Sequence, residues 1–517
     1  MKLLLVHGPR PYWPFLHEQD NFLVPQSLVC LAAVARAAGV ETRILDCMPQ
    51  KIGYRSLGKA IAEWRPDVVG VGENHALYAS EALRVCATAK AACPTVTTVV
   101  GGAHFANTLA VTLADENVDF VVLGEGERSF VNLLREIGDT VPDYRNVRGI
   151  AFHPRLVGGE PTPELPYVVT EPEPLIENLD LLPRPAYDLL PMKLYGTSRY
   201  LFSPGGTTIH HSRGCSGACS FCAFWIQMAE RKIQDGKVLL RPRWRTKAPS
   251  VTADEAACLN RDFGKKSLVF VDDSFNLDPR WNDDFAGEML RRRLRLNWFA
   301  FVRADCIVRD ERLGILEKMV RAGLRHVCVG AERARDEELA SFNKGFYTNE
   351  TTRECFSILK NKYPQVFRQG TFIVGLREDT RDTVLEVGRL ALELGLDFPA
   401  FHPLTPVPGT PLWDEARANG WLATEDFNNF DWSTPVMPTK YLSVDEIQDL
   451  VYELSRRAVT PAWYLRGILS RHEYSRRMYV WWTIVALKLA AAGVLQRLDP
   501  FHPATYHRLV TPAWYER

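Results

Sequence analysis

The sequence predicts an α/β protein in three parts: an N-terminal Rossmann-like domain on a parallel sheet, a partial (β/α)6 barrel, and a helical C-terminal region. Two series of short apolar segments alternate with helical patterns, which is typical of parallel sheets covered by helices. The final part is helical, aromatic and rich in arginine. Because 517 residues are too many for one hydrophobic core, we expect domains at 1–145, 196–425 and 426–517, with a linker at 146–195.

The composition is that of a globular protein without a dominant charge. Hydrophobic residues make up 46% of the chain and charged residues 24%, and Lys+Arg equals Asp+Glu at 62 each. This balance argues against nucleic acid as a partner. The apolar run KLLLV near the N-terminus is shorter than the core of a signal peptide, so we expect a cytoplasmic protein.

The first series predicts five parallel strands with glycine-rich ends. The strands are KLLLV (2–6), ETRILD (41–46), DVVGVG (67–72), TVTTVVGG (95–102) and the end of ADENVDFVVLGEGE (114–127). In an open α/β sheet, ligands bind outside the carboxyl ends of the strands, where glycine permits close approach of the backbone. No GxGxxG follows the first strand, which argues against a standard dinucleotide site.

The second series predicts the barrel. It follows the linker at 146–195, whose proline and acidic residues predict an ordered segment over the surface. Six apolar segments then alternate with amphipathic helical patterns: GTTIHHS, SLVFVDDSF, LNWFAFVRADC, HVCVGAER, RQGTFIVGL and FPAFHPLTPVPGT. Such a series predicts a barrel with its polar residues at the carboxyl ends of the strands.

Three of the eleven cysteines lie close together in the loop SRGCSGACSFCAFW. Cys215, Cys219 and Cys222 are flanked by Gly and Ser, whereas the other eight are expected to be small buried hydrophobes. A zinc site would need a fourth ligand from His210 or His211, and a disulfide framework conflicts with a reducing compartment. In an iron–sulfur cluster, three thiolate ligands would leave one of four irons open to a small molecule.

The cysteine loop resembles the CxxxCxΦC signature of radical S-adenosylmethionine (radical SAM) enzymes, with Phe221 at the aromatic position. Its place after the first predicted barrel strand is also that of the family. The resemblance implies a [4Fe-4S] cluster on the three cysteines and S-adenosylmethionine at the open iron. It further implies a 5′-deoxyadenosyl radical and an external electron donor such as flavodoxin or ferredoxin. The cofactors carry such chemistry, and the protein positions them.

The same resemblance implies residues that contact S-adenosylmethionine. The candidates are Phe221, Asp273, Arg303, Glu332 and Gly375. Asp273 ends the second barrel strand, where the family contacts the amino group of S-adenosylmethionine. Arg303 and Glu332 end the third and fourth strands, and we expect them to reach its carboxylate and ribose. The glycine belongs to GTFIVGLRED (370–379), which resembles the segment beside the adenine but lacks its usual PGE continuation, so Glu378 receives no role. The alternative for the acidic residues is a solvated strand end or a helix cap.

The N-terminal series resembles the cobalamin-binding domain, chiefly through VVGGAHFANTLAVTLADENVDFVVLGEGERSF (99–130). The candidate cobalamin contacts are Gly8, Asn74, His75, Gly101, Gly102, His104, Gly124, Glu125 and Glu127. The loops expected to face the barrel mouth are 8–16, 73–78, 101–105 and 124–128. Many such domains carry a D-x-H-x-x-G segment whose His binds cobalt from below; its absence here predicts local hydrogen bonds for His7 and cobalamin without a His lower ligand. A degenerate domain without the cofactor is the alternative.

A corrinoid beside a radical generator implies C-methylation, in which a carbon radical takes a methyl group from methylcobalamin. The leading hypothesis is therefore methylation of an unactivated carbon in a hydrophobic or natural-product substrate. The second half of the chain, from GAERARDEEL onward, also resembles the anaerobic magnesium-protoporphyrin monomethyl ester cyclases. A cyclase, a hydroxylase or another radical rearrangement of a porphyrin- or lipid-like substrate is thus the alternative enzyme. An iron–sulfur redox sensor is the alternative that is not an enzyme.

The apolar segment YVWWTIVALKLAAAGVL (479–495) has three interpretations. Lys488 inside it would cost about 2.5–3.5 kcal/mol near the centre of a bilayer, which argues against a membrane span. A buried helix and an interfacial helix are both left open, and the second implies peripheral membrane contact through 478–495. The six residues VTPAWY occur at 459–464 and again at 510–515, and the sequence offers no physical reason for the repeat.

Overall fold

The computed structural model describes residues 1–13, 23–162, 165–197, 205–234, 237–496 and 509–517. In the N-terminal domain the strands are β1 (Lys2–His7), β2 (Glu41–Asp46), β3 (Val68–Gly72), β4 (Thr97–Gly101), β5 (Phe120–Val122), β6 (Ile150–Phe152) and β7 (Val168–Val169). The helices are α1 (Gln26–Ala37), α2 (Cys47–Gln50), α3 (Tyr54–Trp64), α4 (Ala79–Ala92), α5 (Ala103–Asn107), α6 (Leu109–Thr112) and α7 (Gly126–Ile137).

The N-terminal sheet has the strand order β2-β1-β3-β4-β5-β6-β7. The first five strands are parallel, and β6 and β7, which belong to the predicted linker, extend the sheet in antiparallel pairing. Side chains alternate across a strand, so Leu3 and Leu5 enter one hydrophobic core and Leu4 and Val6 the other. The strand order reverses between β1 and β3, and this switch point is where α/β sheets form their ligand crevice.

The second domain contains ten strands and nine helices among its described residues. The strands are β8 (Gly206–Ile209), β9 (Ser212–Gly214), β10 (Glu230–Gln234), β11 (Lys237–Arg241), β12 (Trp244–Thr246), β13 (Ser267–Phe270), β14 (Asn297–Val302), β15 (Leu324–Glu332), β16 (Phe367–Val374) and β17 (Phe398–Pro403). The helices are α8 (Phe224–Gln227), α9 (Pro249–Arg261), α10 (Pro279–Arg291), α11 (Ala304–Arg312), α12 (Ile315–Arg321), α13 (Asp336–Ser341), α14 (Asn349–Lys362), α15 (Arg381–Glu393) and α16 (Pro411–Ala418).

Six of these strands form one parallel sheet in chain order, β8-β13-β14-β15-β16-β17, as a partial barrel requires. Its inner face carries Val269, Phe299 and Cys328, which pack together with Leu23 from the N-terminal domain. The neighbouring residues on the same strands, such as Trp298, face the helices and join the main core. Beside this sheet, β9 pairs with β12 and β10 with β11, on either side of the cysteine loop.

The C-terminal region begins with helices packed on the barrel. They are α17 (Val444–Ala458), α18 (Pro461–Ile468) and α19 (Glu473–Gln496). The first half of α19 is buried, because Tyr474, Met478 and Tyr479 pack with Trp463 and Phe367. The buried-helix interpretation therefore holds for this half. Among the described helices, none has the length and hydropathy needed to cross a bilayer.

The last nine residues return to the N-terminal domain. Val510 forms an antiparallel bridge with Tyr12, and the rings of Tyr515 and Tyr54 meet edge to face at 5.2 Å. Glu516 pairs with Arg84. The first VTPAWY copy is used differently: its threonine caps α18, and its tryptophan donates a hydrogen bond to a carbonyl oxygen near β17. The two copies thus have unrelated environments.

The predicted fold class is confirmed, with two parallel sheets and a helical C-terminal region. The predicted domain boundaries remain predictions. Residues 14–16 of the loop 8–16, residues 163–164 of the linker and residues 497–508 of the C-terminal region lie outside the described residues.

Packing between α18 and α19 predicts an effect of replacing Gly467 with alanine. A Cβ there would overlap the ring of Tyr479. We expect Gly467→Ala to lower the free energy of unfolding by about 1–3 kcal/mol, as overpacking does. The control is Gly58→Ala in α3, where a Cβ would meet only Cγ2 of Thr88 at 3.5 Å; we expect this variant to be more stable by about 0.5–1 kcal/mol. Chemical denaturation measures both changes, and equal stability of the two variants would contradict the packing assigned here.

Candidate functional site

A cavity of about 260 Å³ lies between the two domains, at the carboxyl ends of their strands. The N-terminal domain lines it with the ends of β3, β4 and β5, beside the switch point. Its floor is apolar and includes Leu5, Leu28 and Phe130. Gly70 leaves room there, because a Cβ at this position would lie 2.7 Å from Cδ2 of Leu5. The cavity is therefore an apolar slot whose mouth is shared with the barrel.

Buried ion pairs between the domains close one side of this mouth. Arg213 donates hydrogen bonds to Oε1 of Glu125 at 2.8 Å and to Oε2 of Glu127 at 3.1 Å, and it forms a further, shorter bond with Glu127. Arg245 donates to Oε2 of Glu125 and to the carbonyl oxygen of Ile176, both at 2.8 Å. The arginines are neighbours because β9 and β12 pair at these two residues. All four charged side chains are buried.

The charges of this cluster depend on one another. Burial alone raises the pKa of Glu125, but Arg213 and Arg245 outweigh burial and leave the pKa below its usual value. Burial lowers the pKa of Arg213, but the two carboxylates outweigh it and raise the pKa above the usual value. Each buried ion would cost several kcal/mol without its partners, so the cluster is favourable only when both domains contribute.

The cysteine loop begins directly after Arg213, with Gly214 in the left-handed region at φ 78°. A side chain at 214 would overlap the carbonyl oxygen of Arg243, so the turn requires glycine. Inside the loop, the backbone amide of Gly217 donates to Sγ of Cys215 at 3.4 Å. The carbonyl oxygen of Cys219 accepts bonds from the amide of Cys222 at 3.1 Å and from the Trp225 ring at 3.0 Å. The three cysteines are thus held on one short, internally bonded turn.

The cysteine thiols are protonated in the free protein. Burial raises the pKa of Cys219 to about 11 and that of Cys222 to about 12. Binding of a metal centre would therefore release protons. Within the described part of the chain, no three His, Cys, Asp or Glu side chains converge on a point that suits a single metal ion. A four-iron cluster does not need that convergence, because its thiolates bind different irons.

The predicted Asp273 and its neighbour Asp272 meet the cysteine loop from the end of β13. Asp273 lines the cavity and accepts a hydrogen bond from the backbone of Gly214, and burial with the nearby Asp272 raises its pKa to about 7. Asp272 accepts bonds from the amides of His211 and Ser212 at 3.0 and 2.5 Å. Nδ1 of His211 lies 2.8 Å from the same oxygen, and both side chains are fully buried. Asp272 is therefore a structural anchor, and Asp273 is the aspartate that faces the cavity.

Arg303 and Glu332 lie on the barrel side of the cysteine loop. Arg303 donates to Oγ of Ser216 at 3.1 Å, and its guanidinium lies 3.8 Å from the centre of the Phe346 ring. Glu332 ends β15 with φ 61°, a strained value for a residue with a side chain, and it pairs with buried Lys344 at 2.6 Å. Both predicted residues are thus close to the loop, and Glu332 brings a cation with it.

Gly375 directly follows β16, the neighbour of β15, and Phe221 belongs to the cysteine loop. Gly375 has φ 86°, and its amide donates to Oδ2 of Asp379 at 2.9 Å. Buried Arg333 donates to the other oxygen of Asp379 at 2.6 Å, so this aspartate holds the turn in place of a PGE glutamate. The ring of Phe221 packs edge to face on Phe342 at 5.1 Å. These two residues shape the turn and loop around the mouth.

Six of the nine predicted cobalamin residues line the cavity: Asn74, Gly101, Gly102, Gly124, Glu125 and Glu127. Oδ1 of Asn74 accepts a bond from the amide of Ala103 at 3.0 Å, which joins the loops after β3 and β4. Gly102 has φ 104°, and a Cβ there would overlap the carbonyl oxygen of Glu73. The two glutamates face the arginines of the barrel as well as the cavity.

The other three predicted residues lie away from the cavity lining. Gly8 packs on α4, where a Cβ would lie 2.8 Å from Cγ2 of Val85. The rings of His75 and His104 meet Trp432 and Phe427 of the C-terminal region, at 4.9 and 4.8 Å. His7 forms the expected local hydrogen bonds, with Nδ1 2.8 Å from Asp46 and the other ring nitrogen against Arg10.

Sequence reasoning missed the residues that join the domains. Arg213 and Arg245 carried no motif of their own, although Arg213 stands two residues before the first cysteine. His210 was considered only as a zinc ligand, but it is one of the residues that line the cavity. The roles of the two arginines depend on contacts with glutamates that are about 90 residues away or more in the sequence, and no local sequence pattern predicts such contacts.

The barrel mouth presents apolar side chains on its inner face. Phe301 of β14 and Val271 after β13 are 42% and 41% exposed, although their neighbours on the sheet are buried. By strand alternation they lie on the same face as Phe299 and Val269. Large exposed apolar side chains inside a concave site are typical of a ligand surface.

Two family models match the chain, one over each domain. Residues 15–134 match the B12 binding domain, and residues 209–391 match the Radical SAM superfamily. The chain is a radical SAM enzyme with a B12-binding domain. The predicted family, enzyme class and cofactor classes are thereby confirmed, whereas the individual contact residues remain predictions.

The relatives of this radical SAM enzyme include methyltransferases and a cyclase. An uncharacterized methyltransferase of Pyrococcus horikoshii is 29% identical over 430 residues, which is 83% of this chain and 86% of the relative. The anaerobic magnesium-protoporphyrin IX monomethyl ester cyclase of Cereibacter sphaeroides is 27% identical over 89% of this chain and 71% of the cyclase. Among solved structures, the radical SAM methyltransferase TsrM from Kitasatospora setae matches with a TM-score of 0.68 and 16% identity over 95% of this chain and 99% of TsrM. That likeness shows the shared fold.

The interdomain cluster predicts a large effect of removing Arg213. Arg213→Gln leaves two buried carboxylates with less compensation, and we expect a loss of about 3–5 kcal/mol in the free energy of unfolding. The control is Arg243→Gln, because Arg243 pairs with Glu177 at 2.9 Å on the surface; we expect a change of about 0–1 kcal/mol. Chemical denaturation measures both. A cost for Arg213→Gln no larger than that of the control would show that the cluster does not hold the domains together.

Proposed function

We propose that this enzyme binds a [4Fe-4S] cluster, S-adenosylmethionine and cobalamin, and that it methylates an unactivated carbon of an apolar substrate. The observation that carries the proposal is the shared cavity. The strand ends of the B12-binding domain and the start of the cysteine loop line the same space, with Gly102 on one side and Gly214 on the other. A methyl donor and a radical generator must both reach one carbon, and this arrangement supports that requirement.

The cysteine loop suits a cluster with one open iron. Cys215, Cys219 and Cys222 would hold it, because they share one turn and no fourth cysteine lies in that turn. When bound, the cluster with S-adenosylmethionine supplies a hydrogen-abstracting radical, and cobalamin supplies a transferable methyl group.

The candidate S-adenosylmethionine residues lie around this loop, and each would bind a different group of the cofactor. Asp273 would accept from the amino group, and Arg303, beside the loop at Ser216, would pair with the carboxylate. Glu332, which forms an ion pair with Lys344, would accept from the ribose. Gly375 permits the backbone to approach the adenine, because its φ of 86° suits glycine.

The B12-binding domain suits part of a cobalamin molecule. The apolar slot above Leu5 and Phe130 would take a flat apolar portion, and the polar groups at the mouth would meet its amides. His7 is engaged with Asp46 and Arg10, so it is not available as a lower ligand to cobalt. The proposal therefore retains cobalamin without a His lower ligand.

The substrate is proposed to be hydrophobic at the position that reacts. Phe301 and Val271 give the mouth an apolar surface close to the cysteine loop and the cavity. An apolar surface stabilises a bound substrate by about 25 cal/mol per Å² of area removed from water. A largely hydrocarbon skeleton or the face of a ring system matches this surface better than a small charged metabolite.

We also propose that the enzyme is cytoplasmic and that flavodoxin or ferredoxin supplies the electron that reduces its cluster. Peripheral membrane contact is proposed only for the outer face of α19 within 478–495. Leu487 there is 65% exposed and adjoins the exposed Lys488, whereas Trp481 and Val485 are buried. A lipid substrate would make such contact useful.

Labelled S-adenosylmethionine tests the reaction. The reconstituted enzyme, a chemical reductant, hydroxocobalamin and methyl-labelled S-adenosylmethionine are incubated anaerobically with an apolar extract, and the products are analysed by mass spectrometry. We expect the label in a new C–methyl group, together with 5′-deoxyadenosine. If deoxyadenosine forms and the product instead gains oxygen from labelled water, methylation is wrong and the cyclase-type reaction is correct.

Single cysteine substitutions test the cluster. We expect Cys215→Ala, Cys219→Ala or Cys222→Ala to lose most of the iron and sulfide that the protein binds after anaerobic reconstitution. The amount of deoxyadenosine formed should fall by a factor of about 100 or more, because the open iron that binds S-adenosylmethionine is lost with the cluster. Cys258→Ala is the matched control, since Cys258 lies in α9 away from the loop. Retention of a complete cluster by all three variants would overturn the ligand assignment.

A further inference from the structure

His210 lies between Ile209, the last residue of β8, and the cysteine loop, and it is one of the residues that line the cavity. The residue is 8% exposed. Neither ring nitrogen has a hydrogen-bond partner among the described residues. A buried polar group without a partner is destabilising, so folded proteins rarely contain one unless a ligand or a water molecule satisfies it.

The surrounding charges do not use this ring. Nζ of Lys247 donates to the backbone carbonyl oxygen of His210 at 3.0 Å and to Oε2 of Glu255 at 2.7 Å. Arg213 is committed to Glu125 and Glu127. Burial, followed by these two cations, lowers the pKa of His210 well below its usual value. The imidazole is therefore neutral, with one nitrogen that donates and one that accepts.

Another buried histidine of the same sheet shows the usual arrangement. In His326, Nδ1 lies 3.2 Å from the hydroxyl of Tyr474 and Nε2 lies 3.0 Å from Oε1 of Gln369. His326 is thus satisfied by protein groups, whereas His210 is one of the residues that line the cavity. A molecule that enters the cavity would supply the missing partner of His210.

The cavity indicates what kind of molecule this is. Its floor is apolar, at Leu5 and Phe130, and its far side consists of the glycine-rich strand ends of the B12-binding domain, at Gly72, Gly101 and Gly124. A ligand that fills it must combine a flat apolar part with hydrogen-bonding groups that reach toward the barrel. Cobalamin has both, in its ring systems and in the amide and phosphate groups around them.

We propose that His210 hydrogen-bonds the polar periphery of cobalamin, as a positioning residue that the radical SAM barrel contributes to the B12 site. This inference rests on the proposed function and adds to it. The cofactor would then be held by both domains, with His210 on the side opposite the strand-end glycines. His210 stands five residues before Cys215, so the same segment of backbone would set the distance between the cobalamin and the cluster.

The test compares binding of hydroxocobalamin to the full-length protein and its variants. His210→Phe keeps an aromatic ring but removes both hydrogen-bonding groups, and His210→Gln keeps a donor and an acceptor. We expect about tenfold weaker binding by the Phe variant, the effect of about one hydrogen bond, and a smaller loss in the Gln variant. Titration with detection by visible absorbance measures the dissociation constants. His153→Phe, outside the cavity, is the control and is expected to bind like the natural sequence.

The stability of the cobalamin-free protein separates this role from a structural one. Because the ring of His210 makes no hydrogen bond with the described residues, His210→Phe should leave the unfolding midpoint of this protein unchanged or raised. A lowered midpoint with unchanged affinity would overturn the proposal and make His210 a packing residue. A nitrogen-ligated cobalt spectrum that the Phe variant loses would also overturn it, since His210 would then be a cobalt ligand.

The result also distinguishes this inference from the proposed function. If the natural sequence does not bind hydroxocobalamin, the proposed use of cobalamin is wrong, and the role of His210 is wrong with it. If the natural sequence and His210→Phe bind equally well, only the role of His210 is wrong, and the B12 site as proposed is unaffected.

Discussion

The relation between the two domains depends on four buried charges. Arg213 and Arg245, paired side by side on β9 and β12, meet Glu125 and Glu127 at the start of α7. Buried ions tolerate little displacement, because a separated pair leaves each charge without water or a partner. Since Arg213 stands two residues before Cys215, the same contact sets where the cysteine loop stands relative to the B12-binding domain.

Around this contact, backbone constraints bring the two sets of strand ends to one cavity. Gly102 and Gly214 both have positive φ, and a side chain at either would overlap a neighbouring carbonyl oxygen. The parallel sheets place all of their carboxyl ends at one edge. The site therefore arises from two ordinary sheet edges that face each other, and its polar groups come from loops that glycine allows to turn tightly.

Most of the fold was predictable because it depends on periodic patterns. The strands of the barrel appear as separate apolar segments, and the apolar part of GTFIVGLRED forms the end of β16, directly before Gly375. The site was predictable only in part. Asn74, Gly102 and Glu125 line the cavity as expected, but His75 and His104 turn to Trp432 and Phe427. A strand-end position predicts the edge on which a residue lies, but the packing of distant segments determines which way its side chain faces.

The sequence alone indicated the radical SAM family of this enzyme, because the spacing of Cys215, Cys219 and Cys222 is local and lies within one short loop. It also determined the order of the domains, since each domain has its own pattern of strands and helices. Only the tertiary structure decided how the domains meet. Arg213 and Glu125 are 88 residues apart in the sequence. Only the folded structure shows that the ring nitrogens of His210 have no hydrogen-bond partner among the described residues. Such contacts bury charged and polar groups from segments that are far apart in the sequence. They produce no periodic pattern of residues, so the sequence does not reveal them.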